Sequence, residues 1–145
     1  MTFSDPSMVE YFTEAVAEVL GNGVDLLSCN EKEAMPWTDA SDFGAACKLL
    51  QQHARQFVVT RGARGARLFD GSEYIDIDAH DVHAVDTNGA GDMFAGAFLY
   101  AITHGHDFET AGKLASLASA TTVSSFGPRL PTEDHLTMLR QLNLA

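Results

Sequence analysis

Asp86-Thr87-Asn88-Gly89-Ala90-Gly91-Asp92-Met93-Phe94-Ala95-Gly96-Ala97-Phe98 is the stretch on which the reading of this chain turns. Gly89, Ala90 and Gly91 carry almost no side-chain bulk, so a ligand can approach the backbone closely there. The run from Met93 to Ile102 is rich in helix formers, which places the three small residues at a helix N-terminus. Free N–H groups and the positive end of the helix dipole then point at one spot. That is the chemistry of an anion site, and phosphate is the usual anion. Asp92 is odd beside it, because a carboxylate repels phosphate. It makes sense where the carboxylate takes a proton from a hydroxyl that attacks the phosphate. The blander reading is a Gly-rich turn with an aspartate that only caps it.

Upstream, Thr2 to Leu20 reads as a helix entered through Asp5 as N-cap and Pro6 at the first helical position. Met8, Val9, Phe12, Val16, Val19 and Leu20 recur at helical spacing, with Glu10, Glu14 and Glu18 mostly on the other face. Gly21-Asn22-Gly23 stops this helix, and Val24 to Ser28 reads as a short buried strand of the parallel-sheet kind. Asn30 is then a natural cap and Glu33 a first-turn carboxylate. Ser41 or Asp42 caps a helix running to about Ala54, with Phe43, Ala46, Leu49 and Leu50 on its apolar side. Trp37, in the preceding loop, reads as a packing anchor. Gln56 to Thr60 is a second strand that runs into Arg61-Gly62-Ala63-Arg64-Gly65. Ala66 to Phe69 and Glu73 to Ile77 form a hairpin about the Asp70-Gly71 turn.

The run Asp76, Asp78, His80, Asp81 and His83 fits no zinc spacing and no calcium loop, and reads as a solvated acidic edge. Val82 to Val85 is expected as a short strand that delivers the chain into Asp86. Beyond the central stretch, Asp107 caps a helix with Ala111, Leu114, Ala115, Leu117, Ala118 and Val123 on its apolar face. Its small residues let it pack close to a sheet or to the preceding helix. Phe126 to Pro131 ends it, and Thr132 is expected to cap a last helix through about Leu142. The alternation of strands and helices points to an α/β fold.

With 145 residues, 46% of them hydrophobic, the chain can fill one compact domain, and 20% charged residues argue against disorder. A formal net charge of −11 opposes a nucleic-acid or membrane-surface partner, though not a nucleotide held by local donors. Cys29 and Cys47 make no disulfide framework. With neither a signal peptide nor a long apolar run, the expected location is cytoplasmic.

Asp86 to Phe98 resembles the second signature of the PfkB (ribokinase-like) carbohydrate kinase family, D-T-x-G-A-G-D followed by a small and apolar helix, with every specified position matched. The resemblance implies a three-layer αβα ribokinase-like sheet and an ATP-dependent phosphotransferase acting on a sugar or nucleoside hydroxyl. In that family Asp92 is the general base, and Gly89, Ala90, Gly91 and the Asp92 N–H form the anion hole for the transferred phosphoryl group. Asn30 and Glu33 match an Asn-x-x-Glu motif that helps position Mg²⁺ and phosphate, through water, because Mg²⁺ dehydrates reluctantly. Thr60-x-Gly62-x-x-Gly65 resembles the loop that touches the nucleotide phosphates. Arg61 and Arg64 are either further phosphate ligands or solvated. Ser116 and Gly127 lie where relatives line the purine site. Asp86 and Asn88 lie where some relatives bind a monovalent cation such as K⁺, while Asp86 reads as a turn cap as well.

Within the family, the central stretch and Phe126-Gly127-Pro128-Arg129-Leu130 look nearest to bacterial adenosine kinase-like enzymes. The resemblance covers nearly the whole chain but implies only the C-terminal, nucleotide-binding and catalytic half of such a kinase. The first signature, the lid and most acceptor contacts are absent, and Thr2-Phe3-Ser4-Asp5 reads as the end of a strand begun upstream. The expectation is a truncated product or fragment, inactive alone, that forms a homodimer or joins a missing N-terminal half. A non-catalytic nucleotide-binding or oligomerising remnant is the competing reading. A vitamin kinase of the same superfold is a third, disfavoured by Asp92.

Overall fold

The computed structural model describes residues 1–3 and 5–144, and Ser4 lies outside the described residues. The chain divides into two compact units rather than one. The first holds Met1–Arg61 with Arg67–Ile75, and the second holds Gly62–Ala66 with Asp76–Ala145.

In the first unit, β1 (Val24–Asn30) and β2 (Ala54–Thr60) run parallel, with Leu27 opposite Phe57, Cys29 opposite Val59 and Asn30 opposite Thr60. This register puts Leu27, Cys29, Phe57 and Val59 on one face, where they join Val9, Val16, Leu20, Ala34, Cys47 and Leu50 in one apolar core. At the other edge of β1, Thr2 forms a parallel bridge to Ser28, as expected for the end of a strand. The sheet continues through β3 (Ala66–Phe69) and β4 (Tyr74–Ile77) in the order β1-β2-β3-β4. The Gln56 side chain donates to the Asp70 carbonyl, so β3 ends beside the start of β2 and runs back along it. Asp70 builds the expected turn by accepting from the Ser72 and Glu73 amides, both at 2.8 Å.

The first helix differs from its expectation. It is two pieces, α1 (Pro6–Tyr11) and α2 (Thr13–Leu20), broken at Phe12, whose φ is −124°. The Thr13 hydroxyl donates to the Val9 carbonyl at 2.6 Å, a back-bond that bends helices. The break narrows the buried face to Val9, Val16 and Leu20, and Met8, Phe12 and Val19 are exposed. Asp5 caps α1 as expected, through the Ser7 amide.

Trp37 is not in a loop but inside α3 (Glu31–Thr38), where its ring meets Phe3 and His53, so it is an anchor from a helix. Asp42 caps α4 (Phe43–Leu50), which ends before the expected Ala54 because that residue already pairs in β2.

In the second unit, α5 (Ala90–Thr103) and α6 (Phe108–Val123) pack side by side. Phe94, Phe98 and Ala101 of α5 and Ala111, Leu114, Ala115 and Ala118 of α6 are buried, and Phe98 meets Phe108 edge-on at 5.0 Å. The small residues of α6 allow this close approach to α5. The expected strand at residues 82–85 is coil instead. The Val85 and Asp86 amides both donate to the Val123 carbonyl, at 2.7 and 3.2 Å, so the end of α6 takes the place of a sheet partner.

The last helix is α7 (Thr132–Gln141). Thr132 is its first residue rather than its cap. The cap is Pro131, with no side-chain hydrogen bond, and Glu133 and Asp134 complement the first-turn dipole. No helix among the described residues is long and apolar enough to cross a membrane.

Gly65 carries a constraint that its sequence motif does not convey. Its φ is +80°, and a Cβ there would lie 1.9 Å from the Ile77 carbonyl oxygen. Gly65→Ala is expected to cost on the order of 3 kcal/mol, read as a loss of denaturant midpoint in equilibrium unfolding.

Candidate functional site

In the first unit, strand order alone brings Asn30 and Thr60 together at the carboxyl ends of β1 and β2. Ligands of open α/β sheets sit outside such ends. Asn30 and Glu33 form a complete capping box. The Glu33 amide donates to Asn30 Oδ1 at 3.0 Å, and the Asn30 amide donates to Glu33 Oε2 at 2.9 Å. Glu33 is nonetheless only 3% exposed, an uncommon place for a carboxylate. Burial raises its pKa, with the nearby Asp5 charge adding to this, and the bonds from Asn30 pull the other way. The box uses Oε2 and leaves Oε1 outside it, so the pair fits an outer-shell role beside a water-clad cation.

Arg61 is neither solvated nor turned outward. It faces Glu31 and lies over the Phe43 ring. A cleft of about 680 Å³ also opens on this unit, lined by Asp25, Arg55, Gln56, Phe69 and Asp70. It lies by the start of β1, away from Asn30 and Thr60, and its Arg55–Asp25 pair is exposed and weak.

In the second unit, Asp86 organises the central stretch. Its Oδ1 accepts the Asn88 amide at 3.0 Å and its Oδ2 accepts the Gly127 amide at 3.1 Å. Those two bonds hold its pKa below the usual carboxylate range, the Asn88 amide more than the Gly127 amide. Asp86 is thus the cap of its own turn and a tie to the loop after α6. Gly89 is the N-cap of α5 at φ +74°, and a Cβ there would fall 2.5 Å from Pro128 Cβ. The contact of Pro128 with Gly89 has no signal in the sequence, where Phe126 to Pro131 reads as a helix end and part of the family resemblance.

Gly91 is different. It sits in the first turn of α5 with no positive φ, and a Cβ built on it meets nothing within 4 Å. Nothing in the fold requires glycine there. Ala90 donates to the Thr87 carbonyl only at 3.4 Å. The first-turn amides of Gly91 and Asp92 have no carbonyl one turn back inside the helix, and the exposed Asp92 carboxylate stands beside them. A phosphate group fits this cradle by its donors and by the space at Gly91.

The other expected residues divide by role. Gly62 and Gly65 bracket a 3₁₀ turn, Gly62–Arg64, closed by the Gly65 amide on the Gly62 carbonyl. Gly62 has open space before it, whereas Gly65 is pressed on Ile77. Ser116 is buried and commits its hydroxyl proton to the Asp78 carbonyl at 2.9 Å. Gly127 has φ +92° with open space around its α-carbon. Asn30, Glu33 and Thr60 thus assemble in the first unit, and Asp86 to Asp92 with Gly127 in the second. Among the described residues, no three His, Cys, Asp or Glu side chains converge as a metal cluster.

The parallel strand pair of the first unit and the glycine-lined N-terminus of α5 in the second make this an α/β protein with a helix N-terminus open to an anion. Residues 1–135 match the pfkB family of carbohydrate kinases, and the chain belongs to that family. The adenosine kinase of Saccharomyces cerevisiae is 30% identical over 146 residues, covering 92% of this chain and 43% of that protein. Among solved structures, adenosine kinase from Sinorhizobium meliloti superposes with a TM-score of 0.90 at 33% identity, over 97% of this chain and 43% of its own. Ribokinase from Arabidopsis thaliana, solved with ribose and ATP, gives 0.73 at 29% identity over 88% and 43%. The fold is ribokinase-like α/β, corresponding to the C-terminal portion of these chains. This chain spans less than half the length of each.

The raised pKa of Glu33 gives a directional test. A carboxyl that is harder to ionise when folded contributes stability that is fullest below its unfolded pKa and is lost as pH rises through the folded value. Glu33→Gln keeps an oxygen acceptor for the Asn30 amide and removes the charge. The variant should gain on the wild type progressively from acid to neutral pH, read as the difference in melting temperature across a pH series.

Proposed function

We propose that this chain is the nucleotide-binding and catalytic part of an ATP-dependent kinase that phosphorylates a hydroxyl of a sugar or nucleoside. The observation that carries it is Gly91, a helical glycine with no reason inside the fold, at the α5 N-terminus and next to the Asp92 carboxylate. Family membership supports the reaction class.

Asp92 takes the proton of the acceptor hydroxyl as that oxygen attacks. The amides of Ala90, Gly91 and Asp92, with Gly89 shaping the turn, donate to the transferred phosphoryl group, where charge builds in the transition state. When bound, Mg–ATP supplies that group and neutralises charge on it. Asn30 and Glu33 hold the metal's water shell, and Thr60, Gly62 and Gly65 face the phosphates. Gly127 and Ser116 shape the purine side, Ser116 by fixing the backbone at Asp78. Asp86 and Asn88 are the place for a monovalent cation, on lone pairs that the two capping bonds leave free. Acceptor contacts and a lid belong to the part of the relatives that this chain does not match. The setting is cytoplasmic, with self-association or a complementing N-terminal half as partner.

The share of the relatives that is matched also favours a second reading, a nucleotide-binding or oligomerising unit without turnover. Phosphate transfer from ATP to ribose, fructose and adenosine, run beside Mg–ATP thermal shifts, separates the two. Turnover supports the kinase, stabilisation without turnover supports a nucleotide-binding unit, and no stabilisation overturns nucleotide binding in both readings, leaving only the oligomerising unit.

Two variants test the cradle. Gly91→Ala should raise stability by about 0.5–1 kcal/mol while weakening Mg–ATP binding, since the added methyl enters the phosphate space. A stabilised variant with unchanged nucleotide affinity would refute the cradle. Asp92→Asn, placed in a complete enzyme that carries the N-terminal half, should lower turnover on the order of a hundredfold or more with nucleotide affinity nearly kept, and unchanged turnover removes the base from Asp92.

A further inference from the structure

Asn30 and Thr60 are the last register pair of β1 and β2, so the two chains that leave the sheet there have no ladder bond to keep them together. Free strand ends fray at low cost. Glu31 and Arg61 are the next residues on each side. Arg61 Nε lies 3.6 Å from Glu31 Oε1, and the two side chains are only 23% and 19% exposed. That spacing is too long for a hydrogen bond, and the buried Nε makes none. What holds the guanidinium is its planar face, 4.0 Å from the centroid of the Phe43 ring at the start of α4. A flat, weakly hydrated cation on a phenyl face is favourable where water is partly excluded. Arg67 approaches the same ring from β3 at 5.4 Å, so the ring gathers that strand as well.

We infer that Arg61 is a positioning residue whose stack on Phe43 clamps the end of β2 to the first turn of α4, with Glu31 at the start of α3 facing the guanidinium. The clamp keeps Thr60 in register with the Asn30–Glu33 box. Arg61 does not touch the phosphates in this arrangement. Its consequence for nucleotide rests on the kinase reading above, whereas the clamp itself does not.

Hydrogen–deuterium exchange of the full chain tests it, comparing wild type with Arg61→Met, Phe43→Leu and Arg61→Lys. Amides of residues 28–33 and 58–62 should exchange about tenfold faster in Arg61→Met and Phe43→Leu, while residues 108–123 stay unchanged and report an intact fold. Arg61→Lys, which keeps the charge but not the plane, should recover only part of the protection. Equal protection in wild type and Arg61→Met overturns the clamp. So does full protection in Arg61→Lys, because charge alone would then suffice. Mg–ATP titration adds the functional arm, with Arg61→Met and Phe43→Leu expected to weaken binding together. Weaker binding in Arg61→Met with unchanged exchange overturns positioning in favour of direct phosphate contact. Absence of Mg–ATP binding by the wild type defeats the kinase reading, and the exchange comparison still decides the clamp.

Discussion

Two backbone amides that would otherwise lack partners, those of Asn88 and Gly127, converge on one carboxylate, Asp86. The local geometry around the start of α5 depends on that convergence. It fixes the turn before α5 and the loop after α6 as one piece, with Pro128 seated against the bare α-carbon of Gly89. A Cβ at Gly89 would push that loop away, so the glycine serves the fold before it serves a ligand. The α5 N-terminus is thereby presented with its first-turn donors outward. The proposed phosphate site uses the first-turn amides that the helix itself leaves without a carbonyl.

The first unit meets the same constraint by a different device. Asn30 and Glu33 satisfy each other's amides at the start of α3, which is ordinary capping, yet the carboxylate is buried where its charge is disfavoured. Capping alone does not require burial, since exposed boxes cap helices equally well. The second oxygen of Glu33 lies outside the box, and the proposed metal-supporting role rests on it. The residue keeps a structural purpose meanwhile, and the local and functional readings of Asn30 and Glu33 therefore reinforce each other.

The glycines separate the two kinds of demand. Gly65 and Gly89 are forced by their own chain, through Ile77 and Pro128, and carry positive φ besides. Gly91 has neither reason. Its place in the first turn of α5, beside Asp92, is what the proposed phosphate site rests on. A motif written as Gly-Ala-Gly conceals this difference, because both glycines look alike until their neighbours are in place.

By itself the sequence determined the α/β alternation, the hairpin at Asp70-Gly71, the caps at Asp5, Asn30 and Asp107, and the helix opening on Gly89-Ala90-Gly91. These are local matters of turn chemistry, capping and periodicity within a few residues, and their signal survives in one dimension. Tertiary structure alone decided the rest. Phe12 breaks a helix that periodicity would continue. Residues 82–85 are coil, and the Val85 amide donates to the Val123 carbonyl instead of to a strand. Trp37 packs from inside a helix, and Arg61 leaves solvent for the Phe43 ring. Apart from the break at Phe12, where Thr13 bonds back to Val9, these outcomes were settled by partners far away in the chain, and pattern along the chain carries no record of which distant group will be close enough to win.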